Sequence, residues 1–283
     1  MGKQVFFFFL ALTSGVLLLL VVPTSLGDYQ KTHANAPLFS RSFTIPTPIS
    51  ISTPLPDFSL QAPSQVEEAG DSELCSVKPF NNLPKEQEQV FRSAAEFIPC
   101  SFLLGLESIT TFDDMSRPRA LSGATSLYIR SDLFSLPERK QVLIHELGHI
   151  VDLSGLKGVS GSEASLFRDG THPVLLSDPS IRFYEISWKN EKKQKEGGGA
   201  EDFVTGYAAT DPFEDFAESF LFYLEQGNAF REYAKKNAAI QKKYDFLKRT
   251  VFDDVEFLTG GIPTDLSSRE WDATRVKFPM NHS

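Results

Sequence analysis

Cysteine is scarce in this chain, with two residues in 283. That scarcity excludes a disulfide-stapled scaffold and a zinc ribbon built on cysteine alone. Basic side chains are outnumbered as well, 28 Lys and Arg against 37 Asp and Glu, for a net charge of −9. A surface of that sign repels phosphate backbones, which excludes nucleic acid as the main partner. No internal repeat of about 20 to 50 residues is present, so a solenoid or propeller is not expected. What remains, 41% hydrophobic and 23% charged residues, suffices for a globular core.

Charge is missing altogether between Lys3 and Asp28, and residues 5–22 are apolar apart from Thr13, Ser14 and Gly15. Residues 1–27 therefore read as a signal peptide or an N-terminal membrane anchor rather than part of the fold. The apolar length suits either, and Ser25 and Gly27 offer the small side chains that a signal peptidase reads. Both readings place the rest of the chain outside the cytoplasm, secreted or anchored, with membrane contact only through this segment. Residues 28–70 form a Pro/Ser/Thr-rich stretch that includes Pro37, Pro46, Pro48, Pro54, Pro56 and Pro63. Closely spaced prolines favour extended backbone, so a disordered linker is expected. The globular domain is assigned to residues 71–283. Cys75 and Cys100 fall at its start, and in an exported chain one disulfide between them is expected.

Within the domain, Val90, Phe91, Ala94 and Ala95 recur at helical spacing, which predicts a helix over 85–98. Residues 108–112 and 126–130 carry strand-forming patterns. Ser135, Pro137 and Glu138 resemble a capped helix start, opening a helix through Leu153. A second helix is predicted from Asp211-Pro212 to about Gln226, and a third, long and basic, over 230–252. Helices with a few strands in that order predict an α+β domain.

The first strong helix contains His145-Glu146-Leu147-Gly148-His149. Positions i and i+4 share a helix face, so both imidazoles can address one ion. Neutral imidazole suits zinc, and a third protein ligand would leave one position for water. Glu146 is offset around the helix, where it can take a proton from that water. A third histidine ligand further along would need Gly at 152 and His at 155, but Asp152 and Gly155 stand there. The residues themselves leave His172, in a Gly-Thr-His-Pro loop, and the pair Glu214 and Glu218 as candidates. The two glutamates share one face of the second helix, although Asp211 to Glu214 is also the spacing of a helix cap.

Taken together, His145-Glu-Leu-Gly-His-Ile-Val-Asp152 and the later Tyr207-x6-Glu214-x-Phe-Ala-Glu218 resemble the zinc peptidases typified by anthrax lethal factor, within the gluzincin group. The resemblance covers those two segments and the strand before the first. It implies a zincin-like metallopeptidase domain with a small mixed sheet and an active-site helix, holding one catalytic Zn2+. It implies His145, His149 and Glu214 as metal ligands and Glu146 as general base. It implies Tyr207 as donor to the tetrahedral oxyanion, and Asp152 and Glu218 as acids beside the ligands. By the same analogy, 126–130 would be an edge strand that pairs with an extended protein or peptide substrate. The chain departs from the family between His149 and Tyr207, where residues 189–199 read as a charged, flexible insertion. The expectation is an exported zinc-dependent peptidase. Its rival is a non-catalytic binding module on a zincin scaffold at the cell surface.

Overall fold

The computed structural model describes residues 77–277. The N-terminal apolar segment, the proline-rich stretch and Cys75 lie outside the described residues; Cys100 is disulfide-bonded. No helix among the described residues is long and apolar enough to cross a membrane.

The architecture is α+β. Helix α1 (Lys85–Ala95) buries Phe91 and Ala94 and stops short of Pro99, and the single turn α2 (Cys100–Leu103) follows. Strands β1 (Ser108–Phe112), β2 (Ala120–Ser122) and β3 (Ser126–Arg130) then form a mixed sheet in the order β1-β3-β2. Strand β1 runs parallel to β3, with Ile109 beside Leu127, and β2 runs antiparallel, with Leu121 beside Tyr128. Leu127 and Ile129 point into the core while Tyr128 stays exposed, the alternation of a sheet with one covered face. The expectation that 126–130 is an edge strand is corrected. It is central, because the three-residue β2 caps it, and β2 is the edge that lies beside the site.

Helix α3 (Arg139–Ile150) carries the histidine pair and runs directly into a π-turn, Val151–Gly155. Its start differs from expectation. Ser135 Oγ donates to the Asp132 carbonyl at 2.7 Å and ends a 3-10 turn instead of capping the helix. Two hairpins come next, β4 (Ala164–Asp169) with β5 (His172–Leu175), and β6 (Trp188–Asn190) with β7 (Lys193–Gln194), separated by α4 (Ile181–Ser187). The first part of the 189–199 stretch, through Gln194, belongs to the second of these paired hairpins. Trp188 is buried at its base, and Gln194 Nε2 donates to the Ala209 carbonyl at 2.9 Å.

Helix α5 (Pro212–Glu225) packs along α3, with Phe216, Ala217, Phe220 and Leu221 buried. Gly148 sets the spacing. A Cβ there would meet Ala217 Cα and Phe220 Cδ1 at 3.2 Å each, so only glycine admits so close an approach without displacement. The predicted third helix is two, α6 (Gly227–Lys236) and α7 (Ala238–Phe246). Asn237 breaks it by turning extended, accepting from Ala239 N–H at 2.7 Å and Ile240 N–H at 3.0 Å, and donating to Asp202 Oδ1 at 2.7 Å. A local side-chain bond competes with helix continuation, and a capping Asn wins at this position.

Candidate metal centre

Helices α3 and α5 each bring one face to a common point. Position i and i+4 on α3 place His145 and His149 with ring centroids 5.0 Å apart at 80°. At the head of α5, the Asp211 carboxylate accepts from the Phe213 and Glu214 amides, both at 2.9 Å, which fixes the first turn and the place of Glu214. Glu214 Oε2 then lies 3.1 Å from His145 Nε2 and 3.5 Å from His149 Nε2. Donor atoms of the three residues all fall within 4.8 Å of one another, and both histidines are buried.

The chemistry of this trio fits a divalent cation. Glu214 Oε2 is buried and accepts no hydrogen bond, although two imidazole nitrogens face it. Two nitrogens and one carboxylate oxygen converging in this way form a common donor set for catalytic zinc. Without a cation, protons substitute. Burial opposes charging of His145, but the facing Glu214 and Glu218 outweigh it and raise its pKa well above the ordinary imidazole value. His149 moves the same way, with burial opposed chiefly by Glu214. Burial would raise Glu214, yet His149 and His145 hold it well below the ordinary carboxylate range.

Behind the trio, the fully buried Glu218 places Oε1 2.9 Å from His145 Nδ1. Its other oxygen accepts from Thr205 Oγ1 at 2.6 Å and from the Ala273 amide at 2.8 Å. A carboxylate so fixed orients the imidazole and increases its basicity toward a metal. Asp152 is placed otherwise. Its Oδ2 accepts from Tyr184 Oη at 2.6 Å, its Oδ1 is buried without a donor, and burial lifts its pKa to about 7.

Glu146 faces the cleft from α3, and its Oε2 accepts from Ser122 Oγ at 2.7 Å. Tyr207 stacks at 6.1 Å and 25° on His145 and donates its hydroxyl to Glu214 Oε1 at 3.0 Å. Burial, reinforced by Glu214, raises the Tyr207 pKa, so the phenol remains a donor. His172 is exposed on β5, paired in register with Asp169, and stands outside the trio.

Two clefts meet here. One, of about 330 Å³, is lined by Ser122, His149, Arg168, Lys192 and Phe213 among others. The other, of about 170 Å³, is lined by Arg119, Val142, Trp271 and Thr274. Pro118, Ala120, His145, Glu146 and Tyr207 line both. Sequence reasoning missed Ser122, Thr205 and Trp271. Ser122 sits in a strand too short for alternation to show, and Trp271 reaches the site from a distant segment without regular structure.

Comparison with known proteins found no matching family model, no matching curated protein and no matching solved structure.

Proposed function

We propose that this chain is an exported zinc-dependent endopeptidase with a zincin-like domain. The observation that carries the reading is the convergence of His145, His149 and Glu214, with Glu146 between the histidines on the same helix. A bound Zn2+ would supply Lewis acidity, lowering the pKa of a coordinated water toward 7 and polarising a carbonyl. His145, His149 and Glu214 are the residues that would hold it. Everything else falls to the chain.

Glu146 takes the proton from the attacking water and later delivers it to the leaving amine. Ser122 occupies one of its carboxylate oxygens, which restricts rotation and leaves the other for the proton. Tyr207 keeps its proton and donates to the oxygen that becomes negative in the tetrahedral state, moving its hydrogen bond there from the Glu214 carboxylate. The free edge of β2 offers backbone groups to an extended peptide, a mode indifferent to most side chains. The two clefts share Pro118, Ala120, His145, Glu146 and Tyr207, and a peptide laid along both would be cleaved internally.

The test is hydrolysis of a peptide library by the zinc-loaded protein, with Glu146→Gln as control. The expected result is cleavage that falls by at least about a hundredfold in the variant while zinc is retained. Equal turnover in both proteins would contradict the assignment.

A further inference from the structure

Trp271 stands beside the metal centre with 66% of its surface exposed, whereas the chain's other tryptophan, Trp188, is 1% exposed and hydrogen-bonded to Asp215. Exposed indoles are usually free to swing, but the segment around this one is tied down. Tyr207 N–H donates to the Trp271 carbonyl at 2.7 Å, and Gly206 N–H donates to the Glu270 carbonyl at 2.8 Å. On the other flank Asp272 accepts from Arg119 Nη2 at 2.9 Å, and the Ala273 amide is held by Glu218, the carboxylate behind His145. The indole lies 6.2 Å from the Tyr207 ring at 47°. A Cβ at Gly206 would meet its Cε3 at 2.6 Å, so a glycine there gives the ring its place.

The cleft of about 170 Å³ that Trp271 shares with Tyr207, Val142 and Pro118 opens onto His145 and Glu146. That is below the roughly 300 Å³ at which pockets begin to hold a whole drug-sized ligand, and it suits one bulky side chain. Arg119 lines the same cleft, but Glu138 and Asp272 each hold it at 2.9 Å, so its charge is already paired. An uncharged ring meeting two aromatic walls gains from offset or edge contacts that an aliphatic chain does not make.

We propose that Trp271, with Tyr207, forms a substrate subsite that takes an aromatic side chain of an extended peptide beside the reacting bond. The proposal rests on the peptidase reading and adds its specificity. An indole whose backbone is held on both flanks and whose ring already rests against Gly206 and Tyr207 has less conformational entropy to lose on contact, and that lets one side chain carry much of the preference.

The experiment uses the full chain carrying Glu146→Gln, so that bound peptide stays intact, and dye-labelled capped polyalanine peptides with one central Phe, Leu or Ala. Fluorescence anisotropy reads affinity, and acrylamide quenching reads the exposure of Trp271, the buried Trp188 being inaccessible to it. The Phe peptide is expected to bind about tenfold tighter than the Ala peptide and to shield Trp271. That preference disappears in Trp271→Ala and survives in Trp271→Phe, with bound zinc equal in all three proteins. A preference undiminished in Trp271→Ala would overturn the subsite, while cleavage of the same peptides by the parent would leave the peptidase reading standing. Absence of both binding and cleavage across the series would overturn the two together.

Discussion

At the scale of single residues, the site depends on pairs in which one side chain fixes another. Ser122 and Glu146 are such a pair, and the hydroxyl does no chemistry itself. Ser122→Ala is expected to lower kcat roughly tenfold with KM little changed, since it frees the Glu146 carboxylate to rotate and removes only one hydroxyl from the cleft wall. Steady-state kinetics on one peptide decide it, and a change confined to KM would contradict the positioning role. Asp152 makes a prediction of a different kind. Burial raises its pKa to about 7, so the folded protein binds a proton that the unfolded chain releases near pH 4. Stability therefore falls as pH rises from about 4 to about 7 and is level above, by an amount on the order of 4 kcal/mol for an isolated group. Asp152→Asn keeps an acceptor for Tyr184 and removes the titration. Urea unfolding of the metal-free variant should show a flatter profile and a gain over the parent at pH 8 that is absent at pH 5. Parallel profiles would refute the account.

At the scale of elements, the helices and strands with strong local patterns were legible and the short or competing ones were not. Strands 108–112 and 126–130 stand where their alternating β-formers put them, and α5 begins at the Asp211-Pro212 signal. Three residues at 120–122 hold too little pattern to reveal β2, and without β2 the central strand looked like an edge. Asn237 interrupts an apolar period that runs on past it, because its side chain satisfies the next helix's amides more locally than the pattern can show. The histidine pair was legible from spacing alone. Glu214 needed the motif resemblance, since its capping-like offset from Asp211 is equally at home in any helix start. The α3–α5 contact supplies what spacing does not, and Gly148 controls it. Gly148→Ala gains helix propensity of about 1 kcal/mol but pushes α5 outward by a few tenths of an ångström. Thermal stability is then expected to change by less than about 1 kcal/mol while zinc affinity falls several-fold. Unchanged affinity would show that the helix spacing does not govern the site.

At the scale of the whole molecule, the elements around the centre are braced by a second buried polar cluster. Lys243 Nζ on α7 lies 2.7 Å from Asp215 Oδ2 on α5 and donates to the Asp202 carbonyl at 2.7 Å, while Trp188 Nε1 donates to Asp215 at 3.0 Å. Burial lowers Lys243 and raises Asp215, to about 6, and each partner's charge opposes the other's shift. One cluster therefore joins the second hairpin, α5 and α7 directly behind the residue that neighbours Glu214. The segment around Trp271 is tied to the centre through the Arg119–Asp272 and Ala273–Glu218 hydrogen bonds. The residues around the centre thus come chiefly from two segments, α3 and residues 207–218, brought together over one continuous core. The proposed activity requires that this arrangement bind a metal. Zinc content and affinity of the purified chain, measured beside Glu214→Ala by mass spectrometry and competition with a chelating dye, are the direct test. One zinc per chain is expected, held more than about a hundredfold more weakly once Glu214 is removed. No zinc in the parent, or equal affinity in the two proteins, would contradict it.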